Sequence, residues 1–342
     1  MKAPIFATTM VHKILGYQPV QFVLSSLIIM GAVMCIFTPN YFLFKLGATY
    51  AVHLMFAYLF IGMIFLIAKQ PKLMFTSFAC CAGLCLFLKS SANEDLILPA
   101  RTDGESVKVA HFNISTFGND YDEILNEILN TNADVISIQE LTPDWNQFIE
   151  NSLISKQYPH DVSLVRIDPF GVAVYSKYEF TSVDTFYYNN NPNFRNIPNL
   201  HCIINSPREN RKVNFISSRT YPPFNVTAYD HLREHMVFIA KKISTITGPV
   251  ITVGDYNAVP WSKEIKEFRD LAQLKDSRRS YTPSFKEGSF MLFHLPIDHI
   301  FFSEELRCVE FENLYTAGSN HIGIEGTYQF NSNISNVQAK LQ

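Results

Sequence analysis

The sequence predicts a strand-rich α/β domain of antiparallel character, set behind three membrane-spanning helices. Three observations carry that expectation. Residues 1–92 contain six lysines, no arginine and no acidic residue, which leaves 22 of the 28 basic and all 31 acidic residues for 93–342. The first part is therefore formally +6 and the second −9. Long apolar runs fill the first part, whereas the second alternates short apolar runs with a few helical patterns and follows no strict strand–helix repeat.

Three spans are expected, at about 20–39, 48–68 and 72–89. Phe22 to Phe37 is apolar apart from two serines, and Ala48 to Ala68 has His53 as its only ionisable group besides tyrosines. Leu73 to Leu88 carries Cys80, Cys81 and Cys85. A spanning helix needs roughly 20 apolar residues, which these runs supply with their flanks. The two later runs argue against a cleaved signal in the first. Lys2 and Lys13 precede the first span, Lys45 stands alone after it, and Lys69 with Lys72 separates the second from the third. Positive residues stay inside, so the N-terminus is expected in the cytoplasm and the domain after span three outside it, in the periplasm of a Gram-negative cell. Segment 1–90 reads as an anchor. His53, an imidazole within a span, raises partner docking as a second purpose.

Residues 91–106 read as a linker, 107–330 as the main domain and 331–342 as a tail. Strands are expected at Val107–Ile114, Asp134–Gln139, Gly171–Tyr175, Val213–Ser217, Val250–Val253 and Ile297–Phe302. Tyr121–Leu129 has helical spacing, with Ile124, Leu125, Ile128 and Leu129 on one face, and His231–Ile243 is a second helix. Asn189–Asn193 is a polar turn. No Gly-rich dinucleotide loop, P-loop or zinc-spaced Cys/His cluster is present. Cys202 and Cys308 could pair or stay free.

Several of these strands end in polar residues that make sense together. Gly254-Asp255-Tyr256-Asn257 follows the apolar run Pro249–Val253. Side chains two apart on an extended segment share a face, so Asp255 and Asn257 offer an anionic oxygen and a carboxamide to one place. That pairing suits a hard metal ion and a phosphate oxygen. Asn113 ends the first strand, Gln139-Glu140 the second, Asp298 and His299 interrupt an apolar strand, and Gly318-Ser319-Asn320-His321 lies in a late loop. Each has a plainer reading. Glu140 fits a helix start ahead of Thr142-Pro143-Asp144, Asp298 could cap a turn, and Asn113 opens an Asn-Ile-Ser sequon. An Asp bounded by Leu295, Pro296, Ile297, Ile300 and Phe301 needs a partner once buried. His299 points to the opposite face of its strand and reads as structural.

In this order the segments resemble the motif set of the endonuclease/exonuclease/phosphatase superfamily: the strand-one Asn, Gln139-Glu140, Gly171-Val172-Ala173-Val174-Tyr175-Ser176, the Gly-Asp-x-Asn corner, Ile297-Asp298-His299 and Ser319-Asn320-His321. Three spans ahead of such a domain resemble a bacterial membrane-bound branch. The resemblance implies a two-sheet β-sandwich flanked by helices, four layers in all and deoxyribonuclease-like. It implies hydrolysis of a phosphodiester or phosphomonoester with Mg²⁺ or Mn²⁺, held by Glu140 with Asn113 and Asn320. Asp255 would activate water, Asn257 would hold it or a phosphate oxygen, and His321 would contact the phosphate, oriented by Asp298.

Two positions depart from that pattern. Ser217-Ser218-Arg219-Thr220-Tyr221-Pro222-Pro223 places Arg219, with Tyr221 as the alternative, where relatives carry His. Arg clamps phosphate but cannot exchange a proton near neutrality. Asn320 stands where Asp is usual, keeping an oxygen and losing a charge. Substrate contact is thus expected from Arg219, Asn257 and Tyr221. The formal −9 disfavours nucleic acid, whose affinity comes from phosphate neutralisation. Arg208–Lys212 and Lys275–Arg279 are basic stretches interrupted by acids and read as solvated loops. A lipid bilayer is the second expected partner. The alternative to an enzyme is a catalytically impaired pseudoenzyme, a membrane-tethered binding domain.

Overall fold

The computed structural model describes residues 13–91, 97–114, 120–189, 196–206, 211–286, 294–314 and 318–331. Most of the Asn189–Asn193 turn, most of the 208–212 stretch, the start of the 91–106 linker and nearly all of the 331–342 tail lie outside them. The chain divides into two compact units, 1–92 with 261–263, and 93–260 with 264–342.

The first unit is helical: α1 (Gln18–Ile36), α2 (Phe42–Thr49), α3 (Ala51–Ile67) and α4 (Pro71–Ser91). By length and composition α1 and α4 could each cross a membrane, and α2 with α3 form a third candidate bent by 61°. The second apolar run is thus broken, and Lys45, expected between spans one and two, lies buried within α2. Within the unit Gln21 Nε2 donates to Gln70 Oε1 (2.9 Å) and Tyr58 Oη to the Ile28 carbonyl (2.7 Å). Such pairing is how polar groups persist among apolar helices.

The second unit holds two six-stranded mixed sheets. Its strands are β1 (Ser106–Asn113), β2 (Val135–Gln139), β3 (His160–Leu164), β4 (Val172–Ser176), β5 (Phe180–Tyr188), β6 (Ile197–Asn205), β7 (Lys212–Ser218), β8 (Val250–Asp255), β9 (Lys275–Asp276), β10 (Asp298–Phe302), β11 (Leu306–Leu314) and β12 (Gly323–Phe330). One sheet runs β11-β12-β1-β2-β4-β3 and the other β5-β6-β7-β8-β10-β9. Valines on β1, β2 and β4 meet Leu200, Phe215, Ile251, Val253 and Ile300 between the sheets. Cys202 and Cys308 sit in that core as free thiols.

Helices cover both outer faces. α5 (Tyr121–Thr131) and α6 (Pro143–Glu150) bury Ile124, Leu125, Ile128, Trp145 and Ile149 against Phe112, Ile136 and Ile138. After the short α7 (Ile154–Gln157), α8 (Val226–Ile243) and α9 (Lys263–Ala272) bury Leu232, Met236, Ile239, Ile265 and Phe268 against Ile216, Val250 and Phe301. The apolar 3–4 spacing of α5 and α8 is the cause, since it lays one stripe along each helix. Asn225 caps α8 by accepting from the Ala228 amide (2.9 Å), which starts the helix five residues ahead of the expected His231.

Among the described residues each sheet contains one parallel pair, β1 with β2 and β7 with β8. Parallel neighbours end at the same edge, so Asn113 lies beside Gln139, and Ser217 beside Val253. The other ladders are antiparallel, and β10 sets Asp298 directly opposite Asp255.

Candidate active site

The apolar core turns polar where the two parallel pairs end. Ser137 Oγ and Ser217 Oγ meet across the sheets at 2.8 Å. Gln139 Nε2 donates to the Ser218 carbonyl (3.0 Å), and its Oε1 accepts from the Asp255 amide (3.0 Å). A Cβ at residue 254 would run into the Ser218 carbonyl oxygen, so only Gly254 permits this approach. One carboxamide thereby sets the register of the two sheets at the site.

Asp298 opens β10 at that edge. Its Oδ2 accepts from His321 Nδ1 (2.8 Å), and its Oδ1 lies 3.3 Å from His111 Nε2. The Asp298 amide donates to Ser284 Oγ (2.8 Å), and its carbonyl accepts from Arg278 Nη2 (2.9 Å). His321 is fixed in turn: its amide donates to Ser319 Oγ (3.0 Å), which donates to the Asn113 carbonyl (2.8 Å). His321 Nε2 faces Asn113 Nδ2 at 3.2 Å and Asp255 Oδ2 at 3.9 Å.

On the other side of Asp255 stands Arg219, directly after β7. Its Nη1 lies 2.6 Å from Glu140 Oε1 and its Nη2 3.5 Å from Asp255 Oδ2. Arg219 and Glu140 are each only 8 % exposed and Asp255 1 %, so the ion pair is desolvated. Arg219 Nε has no hydrogen-bond partner among the described residues. Glu140 (φ 63°) and Asn257 (φ 49°) both take the left-handed backbone region. Non-glycine residues hold such conformations where the surroundings over-determine them, often at functional sites. The Asn257 amide donates to Asp255 Oδ1 (3.0 Å) and its Nδ2 to the Thr220 carbonyl (3.0 Å). The side-chain oxygen of Asn257 is therefore turned away from its own backbone anchor.

The charges shift one another. Burial, and then the facing Asp298, push the Asp255 carboxyl above its usual range, against the pull of Arg219 and His321. Burial works on Asp298 in the same direction, but the His321 charge and the hydrogen bonds from His111 and His321 overcome it and hold Asp298 far below the usual range. Burial would lower His321; Asp298 and then Asp255 outweigh it and raise the imidazole. Two neighbouring carboxylates pushed apart in this way suit different tasks, one a stable anion and one a proton acceptor.

The sequence profile of the Endonuclease/Exonuclease/phosphatase family matches residues 110–321, more than half the chain. The chain belongs to that family. Solved structures of similar fold include a family member from Beutenbergia cavernae (14 % identity, TM-score 0.56, covering 66 % of this chain and 72 % of that one). Another is from Bacteroides vulgatus (17 %, TM-score 0.55, 66 % and 99 %). A third is D. rerio TDP2 complexed with a single-strand DNA product (13 %, TM-score 0.55, 66 % and 99 %). No curated protein matches the sequence.

Within this family member, Asn113, Glu140, Arg219, Asp255, Asp298 and His321 form one connected set of contacts, with Asn257 bonded to it through Asp255. Two expected residues stand apart. Asn320, expected at a metal, is exposed; what joins its segment to the fold is its carbonyl, which accepts from the Lys286 amide (2.7 Å). Side chains alternate around the Ser319–His321 turn, and burying His321 turns Asn320 outward. Tyr221 is half-buried, stacks on Phe170 at 6.1 Å and lines a separate pocket with Asn225 and His231. The Lys275–Arg279 stretch is no solvated loop: Asp276, Ser277 and Arg278 are buried, with Arg278 spanning the Asp298 carbonyl and His299 Nδ1 (3.3 Å).

Sequence reasoning missed His111, Gln139 as a cross-sheet clamp, and Ser284. His111 was findable: it lies two residues before Asn113 on β1 and so shares its face.

Glu140, Asp255 and the Asn113 carboxamide are hard oxygen donors at one edge, the type that suits Mg²⁺ or Mn²⁺. One ligand atom each from Asp255, Asp298 and His321 also lies within 4.8 Å of the others. The donor chemistry fits a divalent ion.

Proposed function

We propose that this protein is a membrane-tethered, divalent-metal-dependent phosphoesterase that cleaves a phosphodiester or phosphomonoester with water. The observation that carries the reading is the buried Asp298–His321 pair facing Asp255 at the meeting edge of the two sheets. Asp255, raised above its usual range by burial and the facing Asp298, is suited to take a proton from an attacking water. His321, its Nδ1–H committed to Asp298, presents Nε2 to a phosphoryl or leaving oxygen. Asn257 would position the water or a phosphate oxygen. Arg219 Nε supplies a buried donor for a second phosphate oxygen. Glu140 and Asn113, beside Asp255, would hold the metal, which when bound supplies charge stabilisation for the transferring phosphoryl group.

The substrate is proposed to be a small or head-group phosphoester. The formal −9 of 93–342 disfavours a polyanion, and the single-strand DNA of the D. rerio relative is the natural counter-test. We further propose 1–90 as anchor, 91–106 as linker, 107–330 as the catalytic domain and 331–342 as a tail, with that domain outside the cytoplasm. Carbonate extraction of membranes tests the tether, which release of the chain into the soluble fraction would refute.

The activity test uses the full chain in detergent with Mg²⁺ or Mn²⁺ and bis(p-nitrophenyl) phosphate, p-nitrophenyl phosphate or single-strand DNA. We expect turnover that falls by about 10³ or more in Glu140→Gln, in keeping with loss of an electrostatic catalytic element. Unchanged turnover in Glu140→Gln refutes the site. A folded wild type that turns over none of these substrates favours the pseudoenzyme.

A further inference from the structure

We infer that Arg219 is a resident counter-cation of the Glu140–Asp255 carboxylates, one that a divalent ion must displace from Glu140 in order to bind. The inference rests on the reading above that Glu140, beside Asp255, takes the metal.

Four observations lead there. Arg219 Nη1 is 2.6 Å from Glu140 Oε1 and Nη2 3.5 Å from Asp255 Oδ2, so the guanidinium already bridges the oxygens a hard ion would use. Mg²⁺ binds oxygen at about 2.0–2.1 Å and keeps several waters, which leaves no place for a guanidinium on the same carboxylate oxygen. A guanidinium is permanently charged, so pH cannot switch it off. The backbone around Arg219 is pinned on both sides, the Ser218 carbonyl by Gln139 Nε2 (3.0 Å) and the Thr220 amide by the Asp255 carbonyl (3.0 Å).

Only the side chain is therefore at liberty to exchange. Its grip is an ion pair on one end, while Nε carries no hydrogen bond among the described residues. Swinging away from Glu140 costs few directional contacts. Exchange is also electrically sensible: Glu140 and Asp255 share one guanidinium, so a divalent cation can take its place on Glu140 without leaving these carboxylates uncompensated. The expected signature is a wild type of weak metal affinity whose affinity rises when the internal cation is removed.

The test measures Mn²⁺ binding to the full chain in detergent by the loss of the free-ion electron paramagnetic resonance signal. It compares wild type, Arg219→Gln and Arg219→Lys at pH 8. Removing a unit charge that competes for the same oxygens should tighten Mn²⁺ by about tenfold or more in Arg219→Gln. Arg219→Lys, which keeps the charge, should stay within about threefold of wild type. Equal affinities in wild type and Arg219→Gln overturn the inference, as does tightening of the same size in Arg219→Lys or an absence of Mn²⁺ binding in all three. Should Arg219→Gln not fold, Arg219→Met carries the same comparison, since its side chain is unbranched and uncharged. Hydrolysis is scored separately. Tighter binding without turnover in any variant leaves the exchange standing and refutes the phosphoesterase reading.

Discussion

Asp255 separates two flanks of the site that hold their charges differently. On one flank every polar atom of Asp298 named above is engaged: Oδ1 and Oδ2 by two imidazoles, the amide by Ser284 and the carbonyl by Arg278. On the other, Arg219 meets Glu140 and Asp255 through its terminal nitrogens and leaves Nε without a hydrogen bond among the described residues. Both flanks are buried and both are ionic. The difference lies in the number of hydrogen bonds that hold each charge rather than in the charge itself. The Asp298 flank is built to stay, and the Arg219 flank is built to exchange.

Breaking the rigid flank should have the largest effect. Asp298→Asn removes the anion that raises His321 and leaves the imidazole without its orienting charge. We expect kcat to fall by about 10³–10⁴, as when the carboxylate behind a catalytic imidazole is made an amide. The alkaline limb of the pH–rate profile should also move to lower pH, because His321 loses the partner that raised it. A profile and kcat within tenfold of wild type would sink the assignment. On the exchanging flank, Glu140→Gln removes the nearer of the two carboxylates that pair with a buried guanidinium, and chemical denaturation should record a loss of about 3 kcal/mol. A loss below about 0.5 kcal/mol would mean that water already screens the pair.

Two buried histidines sharpen the comparison. His321 is raised by its carboxylate neighbours, whereas His235, stacked on Tyr188 at 4.4 Å with neither ring nitrogen hydrogen-bonded among the described residues, is lowered by burial to about 3. The unfolded chain titrates near 6.5. A folded value below the unfolded one means that His235 is harmless above pH 6.5 and destabilising as pH falls from there toward 3. At pH 5 the loss relative to pH 8 should be about 2 kcal/mol. His235→Phe should remove that dependence in thermal unfolding measured at both pH values. An undiminished acid slope in the variant would assign the effect elsewhere.

Legibility followed the same division. Strands such as β8 and β10 announce themselves as continuous apolar runs because both faces are buried. β5, with Thr181, Ser182 and Asp184 exposed, and β6, opening on Ile197-Pro198-Asn199, have no such run and were missed. β12 was missed because Gly323 and Gly326 interrupt its pattern; both let aromatic rings approach, Phe112 and Tyr328 respectively. At the site, residue type and the family resemblance singled out Asn113, Glu140, Asp255, Asp298 and His321, which the fold brings into contact. What stayed hidden was who faces whom: Arg219 turning onto Glu140, and His111 behind Asp298, are set by packing of the two sheets, which no local spacing encodes. The outward direction of Asn320 was not legible, because a loop has no alternation to fix it before the turn is known.

The smallest expected effect probes how far back the rigid flank reaches. His111 Nδ1 lies 3.2 Å from Ser137 Oγ, which lies 2.8 Å from Ser217 Oγ on the other sheet. The chain of contacts thus runs from the sheet interface to Asp298. Ser217→Ala removes the far end and leaves the Ser137 hydroxyl free to serve His111, so stability should drop by about 1 kcal/mol, the worth of one buried hydrogen bond. Turnover should stay within about threefold, because no charged group loses a partner. Ser137→Ala deprives both His111 and Ser217 and should cost about 2 kcal/mol, with His111 left to hold Asp298 without support from behind. If the two alanine variants prove equal in stability and turnover, the flank ends at His111. If Ser137→Ala alone lowers turnover, the anion that orients His321 is held in place from the opposite sheet.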